Sequence, residues 1–496
     1  MTRARHPGVV RLLESGTQPM LIDGEWRMGA AGAVSEVIDP ASGEVLARVA
    51  CAEASDVDAA AGAAWRAFED GRWSRLRPDQ RALALLRWAD LVERDAALLT
   101  ELESLQSGKP VWEARGDIAR GLDGIRFYAA AARNIRGETI TVSDAHHSYT
   151  LREPVGVVAC VVPWNVPFVL TVSKAAPALA AGCTVVVKPS QSTPLTSLHL
   201  GRLWAEAGLP AGVYNVLTGP GGSVGEALCV DPRVTGITFT GSTEVGLRLG
   251  GLAALQNKRT MLELGGKSPN LVLADADLDA AAAGAASAIF YGQGQICSAG
   301  SRLIVEASVH DRVVAGVAAR AADWRIGDPF DEATRMGALH SREHQDMVLD
   351  RVRAAVRDGA VLVCGGEPVD VPGLPGGAFM EPTVLAEVDP AAPIARDEIF
   401  GPVLVVHRVA DADEAVRIAN DTPFGLGAGV WTKDLSKARR LAARLQSGVV
   451  WINDFNQFNP AMPFGGVKVS GSSHREWSHL ALDAFLETRA VWERIA

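Results

Sequence analysis

Cys297 sits in the stretch Phe290-Tyr-Gly-Gln-Gly-Gln-Ile-Cys-Ser-Ala-Gly-Ser-Arg302, directly after an alanine-rich helical run from Ala280 to Ile289. A thiolate is a strong nucleophile, and small neighbours leave room for an electrophile to reach the sulfur. Most free cysteines are merely small buried residues, so a chemical reading needs partners elsewhere in the chain. Two stretches offer them. Pro163-Trp-Asn-Val-Pro167 follows the apolar run Val155 to Val162, which places Asn165 at the C-terminal end of a buried strand, where open α/β sheets put ligands. Its amide, fixed between two prolines, is the type of donor that stabilises an oxyanion, worth on the order of 3 kcal/mol. Glu263-Leu-Gly-Gly-Lys267 presents a carboxylate at a glycine pair, where it can serve as a general base toward water.

Other stretches suit a dinucleotide. Lys188-Pro-Ser190 closes one strand, and Phe239-Thr-Gly-Ser242 closes another and opens a helix whose amides suit a pyrophosphate. Gly219 to Gly225 has the spacing Gly-x-Gly-x-x-x-Gly, one residue longer than the usual fingerprint. Glu398-Ile-Phe-Gly-Pro402 sets a carboxylate beside an aromatic ring, suiting a ribose diol and a stacked base.

The elements that must position these groups read as α/β. Residues 1–50 predict a short tail and two hairpins, turning at Asp23-Gly24 and over Asp39 to Gly43. Ser55 caps a helix, a second runs from Pro78 to about Leu105, and a third spans Trp112 to Asn134. Thr139 to Arg152 alternates as one polar strand. Its His146 and His147 face opposite sides and so make a poor metal pair. From Val155 strands alternate with helices at 168–181, 194–207 and 221–229, which predicts a parallel, doubly wound sheet. Strands at Asn270 to Leu273, Arg302 to Val305, Val403 to Val406 and Val449 to Ile452 predict a second such unit. Leu482 to Trp492 closes the chain as a strand or arm.

The chain has 496 residues, 48% hydrophobic and 21% charged, as in soluble globular proteins, and its length suggests roughly three domains. A net charge of −10 argues against nucleic acid or anionic membrane as partner. The six cysteines show no Cys-x-x-Cys pair, so neither a metal site nor a disulfide framework is expected. No leader and no run of about 18 apolar residues is visible, giving a cytoplasmic reading.

Taken together, Pro-Trp-Asn-x-Pro, Lys-Pro-Ser, Phe-Thr-Gly-Ser, Glu-Leu-Gly-Gly-Lys, Gly-Gln-x-Cys, Glu-Ile-Phe-Gly-Pro and Pro463-Phe-Gly-Gly466 occur in one order over nearly the whole chain. This pattern resembles the aldehyde dehydrogenase superfamily. The resemblance implies NAD(P)-dependent oxidation of an aldehyde to its acid: Cys297 attacks the carbonyl, Asn165 and the Cys297 amide hold the oxyanion, and Glu263 activates water against the thioester. Retention of Glu263 favours hydrolysis over acyl transfer to coenzyme A. Lys174 and Glu476 match a proton-relay pair. For the cofactor, the likeness implies contacts from Val162, Pro163 and Trp164; from Lys188, Ser190 and Gln191; and from Gly221 and Gly225. Phe239, Gly241 and Ser242, then Leu264 and Gly265, then Glu398 and Phe400 complete the set.

Three departures stand out. Gln191 replaces a glutamate that repels a 2′-phosphate, so NADP is admitted beside NAD. Ser173, eight residues after Asn165, replaces a frequent tryptophan and removes a wall of a quaternary-ammonium cage. Ser470-Gly-Ser-Ser-His-Arg-Glu476 carries one extra residue, which reshapes its loop. Phe168, Leu170, Ser173, Ile296, Phe455 and Phe458 are the expected substrate tunnel, apolar and suited to an uncharged aliphatic or aromatic aldehyde. No arginine falls in these stretches, which disfavours the alternative of a semialdehyde. A betaine-type aldehyde is the other alternative. A different class, a cofactor-independent cysteine hydrolase or esterase, lacks a base, since none of the ten histidines falls in the active-site stretches. A non-catalytic protein on the same fold would be expected to lose Cys297, Glu263 or Asn165.

The implied architecture is two doubly wound α/β domains and a small β-arm. Residues 1–134 with 155–265 form the Rossmann-like cofactor domain, 266–478 the catalytic domain, and 135–154 with 479–496 the arm. An exposed edge strand invites pairing, so a homodimer or homotetramer is expected.

Overall fold

The computed structural model describes residues 5–495. Two seven-stranded sheets carry the molecule, with a three-stranded sheet beside them and the two-stranded hairpin Val34–Ile38 and Val45–Ala50. In the first large sheet, Arg259–Glu263, Val234–Thr240, Val157–Val161, Thr184–Lys188 and Tyr214–Val216 run parallel in that order, and the hairpin Met20–Ile22 and Glu25–Arg27 closes one edge antiparallel. Val157–Val161 and Thr184–Lys188 are buried at every position, as their unbroken apolar runs demand of strands covered on both faces. The chain runs outward from Val157–Val161 through two strands, then returns to lay Val234–Thr240 against its other side. That reversal opens a crevice at the strands' C-terminal ends.

The second large sheet has the order Val361–Cys364, Thr383–Ala386, Val403–Val409, Arg302–Glu306, Pro269–Val272, Gly427–Trp431, Val449–Ile452. Its first strand is antiparallel and the other six are parallel. The third sheet pairs Leu486–Arg494 with His146–Pro154 and Thr139–Ser143, and every residue of Thr139–Ser143 is exposed. Among the described residues no helix is long and apolar enough to cross a membrane.

Several local expectations are corrected. The expected tail folds as helix Pro7–Glu14, whose start is tied to the Glu101 carboxylate by the His6 backbone N–H; residues 1–4 lie outside the described part. Glu53, not Ser55, caps helix Ala54–Glu69, and Asp56 accepts the Glu53 N–H at 3.0 Å. The helix expected from Pro78 to Leu105 breaks at Asp95 into Pro78–Arg94 and Ala96–Ser107, because the Asp95 carboxylate is drawn to His199 at 2.8 Å. Thr139 to Arg152 is not one strand but a hairpin. His146 meets Ser143 while His147 faces Glu493, so the histidines do go separate ways. Strands Val361–Cys364, Thr383–Ala386 and Gly427–Trp431 went unforeseen; the last is broken by two glycines that blur its β-pattern.

Candidate active site

Helix Leu278–Phe290 ends in a turn where Gly292, Gln293 and Gly294 take φ of 61°, 57° and 68°. Only glycine serves at 294, since a Cβ there would come within 2.1 Å of the Gly401 carbonyl. The turn delivers Cys297, half-buried, to the wall of a cavity. Burial first, then the negative charges of Glu398, Glu263 and Glu476, push the Cys297 thiol well above its ordinary range. Gly266 backs onto it closely: a Cβ there would lie 2.4 Å from the Cys297 carbonyl oxygen.

Asn165 lines the same cavity. Its amide donates to the Gln295 carbonyl at 2.8 Å, which uses one N–H and leaves the other. Glu263 ends strand Arg259–Glu263 and is buried, and neither carboxylate oxygen has a hydrogen-bond partner among the described residues. Burial and the nearby charge of Glu476 raise its pKa well above the usual carboxylate range. Glu476 is held differently. Lys174 forms an ion pair with its Oε1, Thr240 donates to the same oxygen at 3.3 Å, and Ser173 donates to Oε2 at 3.2 Å. The extra residue in the 470–476 loop is absorbed by zipping the loop to strand Arg259–Glu263. The Leu264 N–H donates to the Ser470 carbonyl, and the Ser472 N–H to that of Leu262. Trp477 and Ser478 follow at φ of 64° and 52°, unusual for residues with side chains.

The crevice of the first sheet gathers the residues expected to face a dinucleotide. Val162, Pro163 and Trp164 leave strand Val157–Val161, and Lys188, Ser190 and Gln191 leave its neighbour. The Lys188 ammonium stands over the turn Gly221–Gly225, where a Cβ on Gly221 would lie 3.8 Å from Nζ. It has no hydrogen-bond or ion-pair partner among the described residues, and burial lowers its pKa to about 8. Phe239 packs on Gly241, and Ser242 caps helix Thr243–Leu255, leaving that N-terminus at the crevice. Leu264 and Gly265 leave strand Arg259–Glu263; Glu398 reaches over and accepts the Gly266 N–H at 3.0 Å, its own pKa raised to about 7 by burial. Phe400 meets Trp164 edge-on at 5.3 Å. An unanswered buried cation over a glycine turn, beside an open helix N-terminus, fits a dinucleotide phosphate.

Of the expected tunnel, Leu170, Ile296 and Phe458 line the cavity and three residues do not. Phe168 turns to the opposite side, its ring filling the space above Gly121. Phe455 packs on Trp451 at 4.8 Å, and Ser173 is spent on Glu476. Sequence reading missed the far wall: Trp451, Phe464, Trp477 and Tyr291, with Lys109, Glu113, Asp117 and Arg120 from the 109–132 segment. Helical spacing of Glu113, Asp117 and Arg120 was the available signal, since i, i+4, i+7 places them on one face. His340 was missed too. Its ring stacks on Trp164 at 4.0 Å, and its backbone N–H donates to Gln295 Oε1 at 2.8 Å.

Residues 26–491 match the profile of the aldehyde dehydrogenase family. The chain is 43% identical to the NADP/NAD-dependent aldehyde dehydrogenase PuuC of Escherichia coli, over 95% of each chain. An aldehyde dehydrogenase from Bacillus cereus solved as its NAD+ complex superposes with a TM-score of 0.96, at 40% identity over 99% of each chain. The AldA indole-3-acetaldehyde dehydrogenase of P. syringae, solved with NAD+ and IAA, superposes at 0.95 and 42%, covering 98% of this chain and 99% of its own.

Proposed function

The chain belongs to the aldehyde dehydrogenase family, and from that premise we propose how its own residues divide the work of oxidising an aldehyde with NAD(P). Cys297 and Asn165 share the cavity, and Glu263 lies close enough for its charge to act on the Cys297 thiol; this arrangement carries the proposal. The raised thiol must lose its proton to react, and Glu263, unpartnered and itself raised, is suited to take it. The sulfur then bonds to the aldehyde carbon, and the oxygen gains negative charge beside the free Asn165 N–H and the Cys297 amide. NAD(P) held in the crevice would supply the acceptor for the hydride leaving this carbon. Glu263, having released the thiol proton toward solvent, next removes a proton from water attacking the thioester; the carbon–sulfur bond breaks, the carboxylic acid leaves, and the proton on Glu263 passes to the thiolate to restore the thiol. Lys174, Thr240 and Glu476 form a hydrogen-bonded cluster whose Glu476 and Lys174 charges are felt at Glu263, and through water it would relay the proton that Glu263 releases.

Lys188 and the turn Gly221–Gly225 would hold phosphate, and Glu398 and Phe400 the nicotinamide half. With Gln191 in place of an acidic residue, both NAD and NADP are accepted. The aromatic wall suits an aldehyde with an aliphatic or aromatic body. The proposed division is a cofactor domain of residues 1–134 and 155–265, a catalytic domain of 266–478 and an arm of 135–154 with 479–496. The exposed edge of the arm, with Ile140, Val142 and Trp492 uncovered, supports a homodimer or homotetramer. Light scattering that finds only a 52.3 kDa species would refute that assembly.

Initial rates with NAD and NADP against acetaldehyde, hexanal, benzaldehyde, succinic semialdehyde and betaine aldehyde test the whole. Turnover with both cofactors, fastest on hexanal or benzaldehyde among the uncharged substrates, is expected. Preference for betaine aldehyde would overturn the reading of the wall, and strict dependence on NAD that of Gln191.

A further inference from the structure

Arg120 is a cation in the substrate cavity for which the chemistry at Cys297 has no use. It stands on helix Val111–Ala132, lines the cavity, and has a side chain 31% exposed. Nη1 donates to Asp117 Oδ1 at 2.8 Å, the Tyr291 hydroxyl adjoins the group, and the guanidinium lies 5.5 Å from the centre of the Phe458 ring. Asp117 is not its private counter-ion. The other oxygen of that carboxylate is taken by Lys109 Nζ at 2.6 Å, and Lys109 also lies 3.9 Å from the buried Glu103 Oε1, so Arg120 shares Asp117 with a second cation. Glu113, on the same helix, accepts the Gly292 N–H; burial raises its pKa to about 8, leaving it largely uncharged at neutral pH. The remaining guanidinium N–H groups have no carboxylate partner among the described residues. Such a fork in a partly desolvated site matches a planar anion.

We propose that Arg120 reads the far end of the substrate, and that this end carries a carboxylate. The aldehyde lies at Cys297, the body of the molecule runs along Phe458, Phe464 and Trp477, and the carboxylate meets the free part of the guanidinium. This rests on the aldehyde-oxidising reading and narrows it, because an uncharged aldehyde would satisfy the aromatic wall but leave Arg120 unanswered.

The test uses the full-length enzyme and two ketones that cannot be oxidised, 4-acetylbenzoate and 4-methylacetophenone. Binding is followed by titration calorimetry. Wild type should bind the carboxylate at least about tenfold more tightly. Arg120→Met should erase that preference while holding 4-methylacetophenone within about threefold, and Arg120→Lys should keep part of it. In turnover, Arg120→Met should raise KM for 4-carboxybenzaldehyde about tenfold or more, with kcat nearly unchanged and 4-methylbenzaldehyde unaffected. Equal affinities in wild type, or equal weakening of both ketones in Arg120→Met and Arg120→Lys, would overturn the proposal and leave Arg120 as a counter-ion of Asp117. A binding preference without turnover of any aldehyde would overturn the proposed reaction and leave the role of Arg120 standing.

Discussion

Two buried carboxylates lie near Cys297, and the molecule treats them in opposite ways. Glu476 is anchored by Lys174, Thr240 and Ser173, all from elements of the first sheet and its helices. Glu263, a strand-end residue of the same sheet, has no side-chain partner among the described residues, with only the Gly466 backbone amide beside it. A buried carboxylate with a complete set of partners is structural capital: its charge is compensated and its geometry fixed. One without partners prefers its proton, is free to turn, and so can carry protons between other groups. The contrast separates a carboxylate held fixed, as the proposed relay needs, from one free to act as the base, without reference to motif.

The largest effect tests what both carboxylates surround. Cys297→Ala should lower oxidation by at least about 10³-fold, while cofactor binding, read by calorimetry, is retained; retained turnover would remove the thiol from the mechanism. Next, Glu263→Gln should cost about 10²-fold or more in steady state and let the acyl-enzyme accumulate as a burst and an intact-mass adduct. The pH profile sharpens this. The folded pKa of Glu263 is raised, so the ionised base appears only as pH climbs past the ordinary carboxylate range. Deacylation should therefore rise with pH in wild type and lose that limb in Glu263→Gln.

Stability then splits the pair. Lys174→Met strands the Glu476 charge and should cost about 3–5 kcal/mol in denaturant melts, most of it recovered by adding Glu476→Leu. Glu263→Gln should change stability least, by about 1 kcal/mol or less, and in the favourable direction at neutral pH. The sign follows from linkage: a carboxyl with a raised folded pKa loses stability as pH rises from its unfolded value toward the folded one, and glutamine has no such loss. Equal destabilisation by the two single substitutions would erase the distinction.

Cys297, Asn165 and Glu263 were legible because each lies within a few residues of a strand or helix end, where local pattern fixes position. That stretches from Val162 to Leu264 leave strand ends of the first sheet was legible for the same reason; their contacts to a cofactor are part of the proposal. Arg120 and Trp477 were not. Helical spacing puts Arg120 on one face with Glu113 and Asp117, but which cavity that face meets, and where Trp477 falls, comes from packing of helix Val111–Ala132 and of a strained loop against distant strands. Phe168 shows the converse error: it is a few residues from Asn165 in sequence, but helix Pro167–Ala181 turns it toward Gly121. The break at Asp95 was hidden because the pull of His199 comes from 104 residues away.

The nucleophile hangs from the helix and strand of one large sheet, whereas Asn165 and Glu263 hang from the other. Few short-range bonds set the gap between them; one is the Asn165 amide on the Gln295 carbonyl. The site thus works as a caliper whose jaws are plates built on two different sheets. Loosening the plates by a fraction of an ångström alters the reacting distance before either plate melts. Activity should therefore fail at lower urea than the backbone signal of either sheet, and a cross-link fastening the plates should move the inactivation midpoint without moving the melt.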